Sequence, residues 1–290
     1  MISAFGATDI GSALNGENQD AFLVTPHMFV VADGHGSAGG RVATVATKIF
    51  ESADTKPMVE LFAEAEEAVR PFFPETAMGD GGTTLSALRV MADGSCEVGH
   101  VGDSEVRYFD AYGCSEGTAL TIDHSACNLT EFHRVRAFPS PARFEFGRVS
   151  RPVFLQINGK WVFNAAGTGQ HCTVRGDWAT YLVSPGGENL AVTRAIGDFS
   201  MKEHGVIAEP TITRADPPAP GTVRAIVMAS DGLWDAMLYE TVGAIVRRPD
   251  LLGDAEGATK VLMTVALETA RRCFGTHIDN ITAVVVYVSG

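Results

Sequence analysis

Val30-Val31-Ala32-Asp33-Gly34-His35-Gly36 decides how this chain is read. The apolar run from Met28 to Ala32 has the length of a buried strand, and it ends on an acid. Glycines then stand on both sides of a histidine. A sheet fixes a carboxylate at its strand end, and the loop leaves it accessible; Gly34 and Gly36 let backbone approach a ligand closely. Taken alone, Asp-Gly after a strand is ordinary turn chemistry. The pattern recurs, however. The run Arg224 to Ala229 leads to Ser230-Asp231-Gly232, and Asp279-Asn280 precedes the run Ile281 to Val288. Three acids at strand ends can meet in a sheet although they are far apart in sequence. Clustered buried carboxylates repel one another unless cations are present. All-oxygen ligands favour Mg2+ or Mn2+ over zinc or copper. Two such ions sharing a carboxylate can bring the pKa of a bridging water toward neutrality and clamp a phosphoryl group. Such a hydrolase needs no side-chain nucleophile.

The bulk properties fit this reading. The chain has 290 residues, 46% hydrophobic and 20% charged, enough for a sizeable core. At ~150 residues per domain that allows one large domain or two small ones. No linker or internal repeat divides the chain, so one domain spanning 1–290 is expected. With 22 basic against 35 acidic residues the net charge is −13, which argues against nucleic acid or an anionic membrane as main partner. The five cysteines (Cys96, Cys114, Cys127, Cys172, Cys273) are scattered and lack a C-x-x-C, so neither a disulfide framework nor a zinc cluster is expected. Reduced thiols place the chain inside the cell, in the cytoplasm, with the nucleus left open. No run approaches the ~18 apolar residues of a membrane helix. No secretory signal is visible, and Met1-Ile2 excludes N-myristoylation.

Periodicity predicts helices over Ser37–Phe50, about Pro57–Phe73, Leu233 to about Val246, and about Ala255–Phe274. Strands are predicted at Ile2–Ala7, Ala21–Val24, Met28–Ala32, Leu85–Met91, Cys96–Val101, Val106–Phe109, Ala119–Ile122 and Ile281–Val288. Helices flanking antiparallel strands argue an α+β fold. Asp103 reads as a tight-turn acid rather than a site residue, and Asp235 also reads as a helix N-cap. Residues 125–188 are the least regular, and so long a loop-rich stretch is usually functional or mobile.

Eight blocks in order carry a resemblance to the metal-dependent protein serine/threonine phosphatases of the type 2C family. They are N-Q-D at 18–20, V-A-D-G-H-G at 31–36, G-G-T-T at 81–84, V-G-D-S at 101–104, D-H at 123–124, L-A-V-T-R-A-I-G-D at 190–198, A-S-D-G-L-W-D at 229–235 and D-N-I-T at 279–282. The resemblance implies a four-layer α/β/β/α sandwich, two antiparallel sheets face to face with helices outside. It implies hydrolysis of phosphoserine and phosphothreonine in phosphoproteins by water or hydroxide bridging two Mn2+ or Mg2+ ions, with positions for a third. Asp33 would bridge both metals. The Gly34 carbonyl would bind one; Asp231 and Asp279 would hold the other. Asp20 would hydrogen-bond metal-bound water, and Gln19 stands where the family has an acid. His35 would be general acid to the leaving alkoxide, a task suited to a near-neutral pKa. Asp123 and Asp235 match the third-metal positions.

There are departures from the family. Asn15 stands where relatives often carry a phosphate-gripping arginine, and no Arg or Lys occurs in residues 1–40. Phosphate binding is then expected to fall on the metals, or on Arg41 or Arg194. Glu105 replaces a common arginine, a change expected to bear on packing. In the 125–188 region the family places a substrate-facing flap, so this segment is expected to set substrate choice. Two other phosphatase chemistries are excluded. The D-x-H metallophosphoesterase pattern also needs G-D-x-x-D and G-N-H-D or G-N-H-E, and a cysteine phosphatase needs C-x-x-x-x-x-R; none occurs. The alternative from another class is a phosphatase-like regulatory or binding protein with weak or no turnover, motivated by Gln19 and Asn15.

Overall fold

Side chains alternate along a strand, so each strand here serves two layers. The computed structural model describes residues 1–12, 16–51, 55–73, 81–147, 151–165 and 172–290. In the strand Met28–Ala32, Met28 and Val30 face helices, while Phe29 and Val31 face a second sheet. That strand belongs to a five-stranded antiparallel sheet ordered Thr211–Ala215, Cys96–Val101, Leu85–Val90, Met28–Ala32, Ala21–Val24. The second five-stranded sheet runs Ile2–Asp9, Ile281–Ser289, Val223–Ala229, Glu105–Asp110, Thr118–Ala119.

Phe29, Val31, Leu88 and Val98 of the first sheet meet Val106, Ile226, Met228, Val284 and Val286 of the second in one buried cluster. Helices Gly39–Lys48 and Met58–Val69 cover the outer face of the first sheet over Val30, Leu85 and Ala87. Helices Asp231–Ala236, Tyr239–Val246 and Ala255–Phe274 cover the second over Val227, Ala283, Val285 and Tyr287. The result is the expected α/β/β/α sandwich. Among the described residues no helix is long and apolar enough to cross a membrane.

Strand register brings the acids together. Ala21 pairs with Ala32, so Asp20 and Asp33 leave the sheet side by side. Ala229 pairs with Ala283, and the Ser230 N–H donates to the Thr282 carbonyl at 3.1 Å, which sets Asp231 near the turn carrying Asp279.

Three expectations need correction. The helix expected from Leu233 to Val246 is two, Asp231–Ala236 and Tyr239–Val246, with extended backbone at Met237 and Leu238 between them. Asp235 therefore lies inside the first helix, and Ser230, not Asp235, is its N-cap residue. The strand expected over Ala119–Ile122 is only Thr118–Ala119, because the chain then turns toward Asp123. Finally, the described residues of the 125–188 stretch carry short elements packed about a core shared with Ala195, Met201 and Val206. Helix Leu129–Val135 is capped by the Asn128 side chain, which accepts from the N–H groups of Thr130 and Glu131. It packs Phe132 against Phe144, Phe146, Phe154 and Leu182. Asn15 lies outside the described residues.

Candidate metal and active site

The end of the strand Met28–Ala32 pins Asp33 by its backbone. Its N–H donates to Thr84 Oγ1 at 3.1 Å, and its carbonyl accepts the Thr84 N–H at 2.9 Å. The Asp33 and Asp231 carboxyls stand close enough for each to act on the other's ionisation. Burial, and then the charges of Asp231, Asp20 and Asp279, push Asp33 well above the usual carboxylate range. Burial and then Asp279 and Asp235 do the same to Asp231. Asp20 is pushed up to about 6, chiefly by burial, although Ser230 Oγ donates to its Oδ2 at 2.8 Å. Burial also raises Asp279, whose Oδ1 accepts its neighbour's N–H from Asn280 at 2.8 Å.

Asp20 Oδ1 and Asp231 Oδ1 are buried without a hydrogen-bond partner. Buried carboxylate oxygens that lack donors and repel one another are what a hard cation satisfies. Among the described residues, no three His, Cys, Asp or Glu side chains are already drawn into a metal-ligand group. The acids stand as a loose, mutually repelling set, chemically suited to divalent cations.

This acid wall separates two cavities. One, of about 580 Å3, holds Gln19, Asp33, Gly34, His35 and Asp198; the other, of about 620 Å3, holds Glu105, Asp123, Arg175 and Asp235. Asp103, Asp231, Asp279 and Tyr181 line both. Asp103 is thus a site residue and not a simple turn acid, and burial raises it while the neighbouring His35 opposes the rise. A signal was available: Asp103 follows the predicted strand Cys96–Val101 through one glycine. In the second cavity Asp235 is pushed up to about 8, by burial and by Asp103, with Arg175 opposing. Asp123 is also raised well up by burial, then by Asp103 and Glu105.

His35 is placed by a small three-stranded sheet in which it faces Gly82, and Gly82 faces Gly197. The next residue, Asp198, has φ +47° and donates its N–H to the Gly81 carbonyl at 3.0 Å. Its Oδ2 lies 2.8 Å from His35 Nε2. Sequence reasoning included Asp198 in a motif without a role; only the cross-strand register shows that it holds the histidine. Gly82 makes the contact possible, since a Cβ there would stand 2.2 Å from Asp198 Oδ2. Gly82→Ala is expected to cost about 1–3 kcal/mol as an overpacked substitution. It should also force the carboxylate off His35. Calorimetry checks the cost, and an unchanged melting temperature would contradict the packing argument.

Gln19 ties down this same loop. Its N–H donates to Asn280 Oδ1 and its Nε2 to the Gly36 carbonyl, both at 2.8 Å, while its carbonyl accepts the Gly34 N–H at 3.2 Å. An ionised glutamate could not donate to Gly36, which accounts for an amide at this position. Neither arginine considered for phosphate lines either cavity. Arg41 stacks its guanidinium 3.8 Å from the Phe72 ring centre. Arg194 is held by Glu131, at 2.6 Å through Nη2, and by the Glu209 carbonyl at 2.9 Å. Glu105 binds Arg107 and, at 2.9 Å, the Tyr239 hydroxyl, a packing arrangement.

Comparison with known proteins places this site in context. The profile of the family described as Protein phosphatase 2C matches residues 15–273. Probable protein phosphatase 2C 71 of Arabidopsis thaliana is 27% identical over 272 residues, covering 89% of this chain and 48% of the relative. The chain spans only 15%, 48% and 66% of the length of three of the curated relatives it matches. The crystal structure of serine-threonine phosphatase 2C from Toxoplasma gondii superimposes with a TM-score of 0.69 at 18% identity, over 99% of this chain and 94% of that one. The catalytic domain of serine threonine protein phosphatase PstP, solved in complex with 2 manganese ions, gives 0.59 at 19% identity, over 100% and 99%.

Proposed function

This chain belongs to the protein phosphatase 2C family, and we propose that it hydrolyses phosphoserine and phosphothreonine esters of phosphoproteins with the help of Mn2+ or Mg2+. The observation that carries the reading is the acid wall, with buried oxygens of Asp20 and Asp231 that no donor satisfies. The carboxylates of Asp33, Asp231 and Asp279 and the Gly34 carbonyl would hold two cations, and Asp123 and Asp235 a third. The manganese ions of the structurally similar PstP domain support this assignment. Bound there, the cations would supply an activated water and positive charge over the phosphoryl oxygens.

The chain's own groups divide the remaining work. Asp20, fixed by Ser230, orients the attacking water through its unpartnered Oδ1. As the water's oxygen bonds to phosphorus it releases a proton to solvent, the ester P–O bond breaks, and His35 gives its own proton to the departing alkoxide. Asp198 fixes the imidazole ring through Nε2. Asp198→Asn is therefore expected to lower kcat for a phosphothreonine peptide roughly tenfold to a hundredfold with KM little changed. The loss should nearly vanish with p-nitrophenyl phosphate, whose leaving group needs no proton. Equal losses on both substrates would show that Asp198 does not serve proton transfer.

The 125–188 segment supplies Tyr181, Phe163 and Arg175 to the cavities, which supports a role in substrate choice. The direct test is hydrolysis of a phosphothreonine peptide by metal-free protein, then with Mn2+ or Mg2+ added. Metal-dependent turnover supports the enzyme. Cation binding without turnover would favour a phosphatase-like regulatory protein.

A further inference from the structure

We infer that Arg175 is a positioning residue that clasps the acid-bearing helix Asp231–Ala236 to the inserted 125–188 segment, so that cation affinity depends on that segment. The inference rests on the reading that Asp231 and Asp235 face bound cations.

The helix has six residues, too few to be stable by itself. Asp231 and Asp235 are one turn apart and so share a face. Its N-terminal end is anchored within the sandwich. The Ser230 carbonyl accepts the N–H of Leu233 at 3.2 Å, and a Cβ on Gly232 would meet the Asn280 carbonyl at 2.1 Å. Its C-terminal carbonyls are short of helical partners, as at any helix end; that of Trp234 accepts only a long 3.5 Å bond from the Met237 N–H. The inserted segment provides them. Arg175 Nη1 donates to the Trp234 carbonyl and, at 3.1 Å, to that of Met237. The Val174 N–H donates to the Asp235 carbonyl at 2.8 Å.

The clasp itself is stiff. Asp177 Oδ2 accepts from Arg175 Nε at 3.2 Å and from the Thr173 hydroxyl at 2.8 Å. Thr173 Oγ1 in turn accepts the N–H groups of Arg175 and Asp177, each at 3.1 Å. The guanidinium lies 4.7 Å from the Tyr239 ring centre. A planar fork that spans two carbonyls and stacks on a ring is a task lysine does not share.

Arg175 is the only Arg or Lys among the described residues that line the two cavities. Its charge and its clasp act on cations in opposite directions, which makes the inference decidable. A charge beside the acids repels a cation, so neutralising a purely electrostatic Arg175 would tighten binding. Releasing a clasp lets the helix end move and weakens binding.

The experiment is Mn2+ titration of the whole chain, read as the electron paramagnetic resonance signal of free Mn2+, for the unaltered protein, Arg175→Met and Val174→Pro. Near-ultraviolet circular dichroism confirms the fold of each. Val174→Pro removes the second tie without changing charge, and it serves where Arg175→Met fails to fold. The expected result is a roughly tenfold loss of Mn2+ affinity in either variant, the size seen when a supporting partner of a metal site is removed. Unchanged or tighter binding in both folded variants would overturn the clasp. Unaltered protein that takes up no Mn2+ would overturn the cation reading beneath it, and the clasp with it.

Discussion

Asp231→Asn is expected to abolish hydrolysis while making the metal-free protein more stable. The loss should be at least about a thousandfold in kcat/KM, since several kcal/mol of transition-state charge stabilisation depend on cations that this carboxylate would hold. The gain follows from the same geometry. Asp231 is buried, is pushed well above the ordinary carboxylate range, and stands among Asp33, Asp279, Asp235 and Asp103. In the unfolded chain it ionises freely in water, so folding at neutral pH must either bury a charge or take up a proton. An amide has neither cost, and a gain on the order of 2 kcal/mol is expected, or roughly 4–8 °C. Peptide kinetics with Mn2+ and calorimetry with a chelator measure the two halves. A variant that keeps its activity, or that melts earlier than the parent without metal, would count against the site.

The metal-free protein should lose stability as pH rises from about 5 to about 8. Asp20 at about 6 and Asp235 at about 8 keep protons in the folded state that an unfolded carboxylate, with its ordinary value of 3.8, has released. Over this interval the folded chain binds more protons than the unfolded one, so the stability present at low pH is lost through the folded pKa values. Asp33 and Asp231 add in the same direction. For Asp20 alone the loss over this interval is on the order of 1 kcal/mol, about half of what its whole shift from 3.8 is worth. Glu131 is drawn down to about 2 by Arg194 and Arg134 against its own burial, so it acts only below this interval. Cations replace the protons, so Mn2+ should raise the melting temperature most near pH 8 and least near pH 5. Melting curves at both ends, with Mn2+ or with chelator, decide it. His124, held down to about 2 by burial, and His100, also held down by burial, act the other way over this interval, so a Mn2+ shift no larger near pH 8 than near pH 5 is the result that would contradict the repelling acid wall.

What was legible in the sequence depended on range. Met28–Ala32 could be read because an unbroken apolar run needs only local information, and the same holds for the helix Ala255–Phe274. Asp33, Asp231 and Asp279 stood out because each borders such a strand. Asp103 has the same placement, but Gly-Asp-Ser is also good turn chemistry, and the turn reading prevailed. Asp198 was out of reach, because its meeting with His35 depends on a register passing through Gly82. Arg41 and Arg194 look available in a list of charges. Their engagement with Phe72 and Glu131 is tertiary, and nothing local announces it. The elements among the described residues of 125–188 were hidden because their helix has only seven residues and their core is built from aromatics on short strands. The break at Met237 was equally hidden, since the apolar spacing runs on through it.

If Asp33, Asp231 and Asp279 hold divalent cations, crystals grown with Mn2+ and measured for its anomalous scattering will show peaks within bonding distance of all three carboxylates. A folded, Mn2+-saturated crystal with no peak at these acids, or with peaks only elsewhere, would contradict that assignment.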